Sequence, residues 1–317
     1  MSVLYITEQG AKIYRSEGRL VVEKDDVVII NIPVNHVERI YLIGQIQLTT
    51  QAICLLLAHG IPVAFISQEG KLKGFLEPVR SKNVPVRVEQ LRKAIDYQFA
   101  LEFSKRIVYA KIRNQRRMLQ KWAYNRGEDI SFELDRLDYL LAKVPRKNAQ
   151  NALRGVEGMA SAIYFETFGK FIGKEKFIRT RRPPRDPINA LLSYGYSIML
   201  SDCINSLGIA GLNPYVGYYH GIRYGRPALA LDIIEEFRSP VVDSFVMDMV
   251  LHRKILPSDD FEETYDGGYR IKKEPRRKFL MEFEKRMKRV RRQMLTQAEN
   301  AIDCVLKNKP YEGFYPG

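Results

Sequence analysis

Cysteine is scarce in this chain: Cys54, Cys203 and Cys304 are odd in number and far apart. That argues against a disulfide framework, and without a Cys-x-x-Cys pair no cysteine-based zinc site can be read. Histidine occurs only as His36, His59, His220 and His252, and no His-Glu-x-x-His pair is among them. A Walker phosphate loop and a dinucleotide glycine fingerprint are also missing. The longest apolar stretch, Ala52 to Ala58, stops at His59-Gly60 and is too short to span a bilayer. Met1-Ser2-Val3 leads straight into a strand pattern with no cleavable signal. There is no solenoid-period repeat and no low-complexity tract. These absences lead us to expect a cytoplasmic protein with no membrane partner.

What is present is a globular chain with a strong charge bias. An apolar content of 45% in 317 residues is ordinary for a folded protein and argues against a disordered one. The length suits two domains with enough core to fold without staples. Lys plus Arg is 51 and Asp plus Glu is 37, a formal net charge of +14 that favours a polyanionic partner. The bases are clustered. Seven lie between Phe103 and Trp122 without an acid: Lys105, Arg106, Lys111, Arg113, Arg116, Arg117 and Lys121. Twelve lie between Arg270 and Arg292, and a third group holds Lys176, Arg179, Arg181, Arg182 and Arg185. Three such clusters favour a nucleic acid over an acidic protein or a membrane surface, and binding should weaken steeply with salt. Solvated helix faces are the plain alternative.

Up to Leu76, short β-branched runs bounded by turn residues predict strands at Val3–Ile6, Lys12–Tyr14, Leu20–Val22, Val27–Ile32, Val37–Leu42, Ile61–Ile66 and Lys71–Leu76. Thr49 offers an N-cap to one short helix ending at His59-Gly60. Pro78 and Pro85, around Ser81-Lys82-Asn83, read as a linker. Beyond it the period turns helical: Leu91–Trp122, Phe132–Lys143 capped by Ser131, and Asn148–Phe168. A helix from Asp186-Pro187 closes at Gly208, and Ala228–Arg238 is shorter. Another starts at Ser239-Pro240, and the last starts near Pro275. Asp266-Gly267-Gly268 reads as a hairpin turn. The expected class is α+β: a small β-rich N-terminal domain at 1–77, a linker at 78–88 and a larger all-α domain at 89–317.

His36 and His59 sit beside turns and read as structural, and His252 ends a helix where a cation suits the dipole. His220 lies in the glycine-flanked aromatic loop Gly217-Tyr218-Tyr219-His220-Gly221. On the following helix Ala230, Ile233, Ile234 and Phe237 form an apolar stripe, with Asp232, Glu235 and Glu236 on the opposite face. A histidine before such a helix is a half-site for a hard metal, manganese or magnesium. On these residues alone, a polar helix face is the plainer reading. Glu157, in Arg154-Gly155-Val156-Glu157-Gly158, flanks another apolar stripe, so its carboxylate should be partly buried, paired with Arg154 or bound to metal. Gly155 and Gly158 cost about 1 kcal/mol each in a helix relative to alanine and suggest close backbone approach.

Four motifs together carry a resemblance that covers the whole chain. They are Leu153-Arg154-Gly155-Val156-Glu157-Gly158 with Tyr164, the run from Pro184 to Tyr196, His220, and the run from Leu231 to Arg238. The chain resembles the CRISPR-associated endonuclease/integrase of the adaptation module. The resemblance implies a β-rich domain that dimerises, a helical catalytic domain, and a Mn2+ or Mg2+ site of Glu157, His220 and Glu235. Asp232 stands beside that metal among the catalytic residues. The third ligand is often aspartate in the family, and Glu236 is the alternative to Glu235. The resemblance also implies a homodimer, a small ferredoxin-like partner in a heterohexameric complex, and insertion of short DNA duplexes as new spacers.

On that reading a 3′-hydroxyl attacks a phosphodiester of the repeat, and water in its place gives nuclease activity. Arg182, Arg185 and Arg223 are the candidates for phosphate contact. Tyr194 and Tyr196 read as core residues. Two other readings remain, a non-catalytic nucleic-acid-binding module and an assembly protein, and neither needs the three ligands to meet.

Overall fold

A computed structural model of the chain describes residues 2–76, 83–174 and 176–316. The chain forms a strand-rich N-terminal part and a larger helical part, the α+β class expected. By compactness it divides into two units interleaved along the sequence. One takes Met1–Ser81, Arg181–Ser201 and Pro257–Lys285; the other takes Lys82–Thr180, Asp202–Leu256 and Arg286–Gly317.

The first unit opens with strands β1 (Ser2–Ile6), β2 (Lys12–Ser16), β3 (Arg19–Lys24), β4 (Val27–Pro33), β5 (Val37–Ile43) and β6 (Gln47–Leu48). Helix α1 (Thr50–Ala58) and strands β7 (Val63–Ile66) and β8 (Leu72–Leu76) follow. One sheet has the order β1-β5-β7-β8, with β1, β5 and β7 parallel and β8 antiparallel to β7. The other has the order β4-β3-β2-β6 and is antiparallel except for β6. Alternation along the strands sends Ile6, Ile13, Leu20, Val22, Leu42 and Val63 into one core with Leu56 of α1. Each such side chain stabilises the fold by about 1.5–3 kcal/mol relative to exposure. Thr49 caps α1 as expected, accepting the Ala52 N–H at 3.3 Å.

Three later pieces complete this unit: the first turns of α6 (Pro187–Ala210), the hairpin β9 (Phe261–Glu263) and β10 (Tyr269–Ile271), and the start of α9 (Lys273–Lys307). Gly70, at φ +81°, lies so close to Tyr194 that an added Cβ would stand 2.3 Å from its ring. Tyr194 is buried and meets Phe279 edge to face at 5.7 Å, in keeping with a core role. Tyr5 donates to Glu284 at 2.7 Å and Lys273 to Glu8 at 2.8 Å. Asp186 accepts the Asn189 N–H at 3.0 Å, the cap expected ahead of Pro187. The Asp266-Gly267-Gly268 turn joins β9 and β10, which pair antiparallel with Glu263 opposite Tyr269.

The second unit holds α2 (Val84–Ile95), α3 (Tyr97–Arg126), α4 (Ser131–Lys143), α5 (Gln150–Phe171), α7 (Ala228–Phe237) and α8 (Ser244–Leu251), with the remainder of α6 and α9. Helix α3 is central and packs on α2, α4, α5 and α7. Several boundaries differ from expectation. Of the linker at 78–88, residues 78–82 lie outside the described residues, and residues 84–88 open α2. The single helix expected over Leu91–Trp122 is two, because Asp96 ends α2 and caps α3 by accepting from Gln98 and Phe99. Ser131 is the first residue of α4, its N–H held by Asp129, rather than its cap. Helix α6 passes Gly208 and stops before Gly211, where φ is +91°. No break precedes α8: α7 continues through a π-helical turn, Arg238–Asp243, that accommodates Pro240. No helix among the described residues is long and apolar enough to cross a membrane.

Candidate active site

Helix α7 is buried on both faces. Ala230, Ile233, Ile234 and Phe237 form the apolar side foreseen, but Asp232, Glu235 and Glu236 are buried as well. The face read as polar does not look to solvent, and each carboxylate needs a partner. Asp232 accepts the consecutive backbone N–H groups of Tyr218, Tyr219 and His220 at 2.8, 3.0 and 2.9 Å. It also meets His220 Nδ1 at 2.7 Å. The loop lies hard against the start of α7: a Cβ on Gly217 would stand 2.5 Å from the Ala228 carbonyl carbon. Glycine is required there, and the outcome is an imidazole held by one nitrogen with Nε2 facing Glu235 Oε1 at 3.8 Å.

Lys111 of α3 is the residue that sequence reasoning missed. It stands among bases read as phosphate-binding, yet it is buried and its ammonium lies between two carboxylates. It bonds Glu157 of α5, and its Nζ is 2.7 Å from Glu235 Oε2. Burial works against the Lys111 charge, but Glu235 and Glu157 outweigh it and its pKa is raised. Glu157 is half-buried and also accepts from Ser161 at 2.9 Å. Its expected partner Arg154 turns away, donating to Asn151 and to the Tyr219 carbonyl. Gly155 and Gly158 are exposed, and added Cβ atoms would meet nothing within 4 Å, so close packing within the chain does not explain them.

At Glu235 burial works to raise the pKa, but Arg238, Lys111 and His220 overcome it and hold the carboxyl well below the usual range. Arg238 lies 3.2 Å from Oε1. Oε2 is buried and lacks a well-aligned hydrogen bond, although Lys111 is close. Among the described residues no three His, Cys, Asp or Glu side chains already form a metal cluster, since Lys111 stands between Glu157 and Glu235. The donors nonetheless suit a hard divalent cation. Two carboxylates face one positive charge, one carboxylate oxygen lacks a directional partner, and the imidazole is oriented through its far nitrogen by a carboxylate, as metal-binding histidines are.

Glu236 is placed differently. It accepts from Tyr311 Oη at 2.7 Å, Gln297 Nε2 at 2.9 Å and the Phe314 N–H at 2.7 Å. Burial nevertheless pushes its pKa up to about 7. Both its oxygens are engaged away from Lys111, and of the two glutamates only Glu235 pairs with that ammonium.

The arginines are dispersed. Arg223 is exposed in the loop after His220, beside the half-buried Arg226. Arg182 and Arg185 belong to the first unit and are exposed, with Arg185 donating to the Asp266 and Gly267 carbonyls at 3.3 and 3.2 Å. The α3 bases are largely committed. Arg116 pairs with Asp138, while Arg113 and Arg117 flank the Tyr315 ring at 4.1 and 4.6 Å.

Residues 4–285 match the family described as CRISPR associated protein Cas1. A CRISPR-associated endonuclease Cas1 of Thermus thermophilus is 35% identical over 291 residues, covering 90% of this chain and 85% of that protein. A Cas6-RT-Cas1–Cas2 complex contains a chain that is 28% identical and superposes with a TM-score of 0.87, covering 98% of this chain and 35% of that longer one. A casposase bound to integration product shares the fold, at TM-score 0.85 and 22% identity over 98% of this chain and 92% of that one.

Proposed function

The chain belongs to the Cas1 family of CRISPR-associated proteins, and we propose that it is a metal-dependent DNA endonuclease and integrase that inserts short duplexes into a CRISPR array as new spacers. One observation carries the reading: Glu157 and Glu235, from two separate helices, share the buried ammonium of Lys111, and His220 Nε2 lies 3.8 Å from Glu235. These three residues would hold Mn2+ or Mg2+. When bound, the cation polarises a phosphoryl oxygen and lowers the pKa of the attacking hydroxyl or water.

The protein's own groups do the remaining work. Asp232 ties the loop 218–220 to α7 and fixes His220 so that Nε2 faces Glu235, where it would help hold the cation. Lys111 and Arg238 offset the negative charge that develops as the 3′-hydroxyl of the incoming duplex attacks a repeat phosphodiester and the repeat's 3′-oxygen leaves. Water entering in place of that hydroxyl yields cleavage. Arg223 holds the phosphate backbone next to His220, and Arg182 and Arg185 of the other unit are further phosphate contacts.

The homodimer forms through the β-rich N-terminal domain. Val27, Val28 and Ile29 support this, being exposed on β4, an edge strand whose unpaired backbone invites another chain. The small ferredoxin-like partner joins two such dimers in a heterohexameric complex, a reading favoured by the likeness to a chain of a Cas1–Cas2 complex. A module that only bound nucleic acid would not need two buried carboxylates at Lys111 and an imidazole facing one of them.

The test is strand transfer with a 3′-hydroxyl duplex and a supercoiled repeat-bearing plasmid, with manganese and the small partner present. Joined products form with the wild type and are lost in Glu157→Ala and His220→Ala while duplex binding persists. Full joining by Glu157→Ala would remove that residue from the site.

A further inference from the structure

The last residues of the chain are held where the chemistry sits. They follow α9 and lie beyond residues 4–285 of the family match. The buried Tyr311 donates its hydroxyl to Glu236 Oε1, and the Phe314 N–H donates to Oε2, each at 2.7 Å. Gln297 of α9 donates to Oε1 at 2.9 Å and to the Glu312 carbonyl at 3.0 Å. The Phe314 ring stacks on Phe237, the last residue of α7, with centroids 4.3 Å apart. At Gly313 an added Cβ would stand 2.4 Å from Ala110 Cβ and 3.0 Å from Glu236 Oε2, so a side chain there would lift the segment off α3.

The backbone of α7 is tied in as well. Pro240 has no N–H to give the carbonyl four residues earlier, that of Glu236. Asn114 of α3, wholly buried, donates to that carbonyl at 2.7 Å and to the Phe314 carbonyl at 2.9 Å. One asparagine thus joins α7, the terminal segment and α3, the helix that also carries Lys111. Glu235 and Glu236 are neighbours on a rigid helix about 100° apart. A shift of α7 that frees Glu236 therefore moves Glu235 too.

We propose that Glu236 is a positioning residue, and that the segment Tyr311–Pro316 clamps it so that α7 holds the Glu235 carboxylate in place against Lys111. The clamp rests on reading Glu235 as a metal ligand. It predicts that loosening the segment weakens metal binding although no residue of the segment touches the metal.

The test compares the unaltered chain with Gly313→Val and with a chain ending at Pro310. Manganese affinity is measured by titration calorimetry well below the melting temperature, with circular dichroism to verify folding. Loss of the clamp should weaken manganese binding by about tenfold or more, the usual effect of removing groups behind the ligands. Strand transfer should then recover as manganese is raised. Should the shortened chain fail to fold, the Gly313→Val result decides. A lowered melting temperature with unchanged manganese affinity would overturn the clamp. Equal manganese binding by Glu235→Ala and wild type would overturn the ligand reading, and the clamp with it.

Discussion

Replacing Lys111 with methionine keeps most of the unbranched side chain and removes the charge between Glu157 and Glu235. The side chains of Lys111 and Glu235 are 9% and 5% exposed, and Glu157 is 21% exposed, so solvent screens this triad little. Removing one partner of a buried ion pair costs about 3–5 kcal/mol. For a unit of this size that corresponds to a melting temperature lower by about 6–20 °C. We expect this loss in EDTA. The pH dependence has a definite sign. The Glu235 pKa is depressed from 4.5 by its cationic neighbours, so its stabilising contribution exists above pH 4.5 and fades as pH falls toward the folded value. The deficit of Lys111→Met should therefore shrink below pH 4.5. Manganese should rescue the variant more than the wild type, because no ammonium competes for the same oxygens. A site filled at a hundred times its Kd regains about 2.7 kcal/mol. Thermal melts across a manganese series test this directly. Equal destabilisation of Lys111→Met with and without manganese, or no destabilisation in EDTA, would refute the argument.

Other outcomes follow from the same geometry. Asp232→Asn turns an amide N–H toward backbone donors of residues 218–220, so it should cost about 1–3 kcal/mol and weaken manganese binding at constant pH. Calorimetry and melting on one preparation would show both. Arg223→Glu should weaken duplex binding for all sequences alike and reduce the salt slope by about 1, measured by fluorescence anisotropy against salt. Only Cys54 should react with iodoacetamide in the native protein at pH 8. It is exposed, whereas burial pushes the Cys304 thiol up to about 12 and raises Cys203 well above its usual value. Mass spectrometry should find three labelled thiols after denaturation.

Local signals were readable wherever one short stretch decides the structure. Thr49, the Asp186-Pro187 pair and the Asp266-Gly267-Gly268 turn act over three or four residues, and each is found as expected. Glu157, His220 and Glu235 are marked by motif; in the fold Glu157 and Glu235 share Lys111, and His220 faces Glu235. The errors arose where tertiary packing overrides local pattern. Asp232 and Glu236 were assigned to a polar face because periodicity cannot distinguish solvent from a buried network of backbone N–H groups and tail residues. Lys111 did leave a trace: it lies three and four residues beyond the buried Val108 and Ile107, in line with the apolar stripe of α3. Counting it among surface bases ignored that register. Arg113 and Arg117 carry a contact that was not legible, since their partner Tyr315 is about two hundred residues away and no spacing rule reaches it.

The interleaving of the first unit bears on how the chain is made. Its opening strands leave the ribosome early, but Tyr194, Arg270 and Glu284, which lie against or bond that region, follow much later. The unit is not complete until Lys285 has been synthesised, about two hundred residues after Ser81. During that interval Gly70 has no Tyr194 to cover it and Tyr5 has no Glu284 to accept its hydroxyl. A fragment ending near residue 81 would remain in that state permanently, and its apolar strands would invite self-association. Biogenesis thus favours keeping the nascent strands apart until Lys285 has been made.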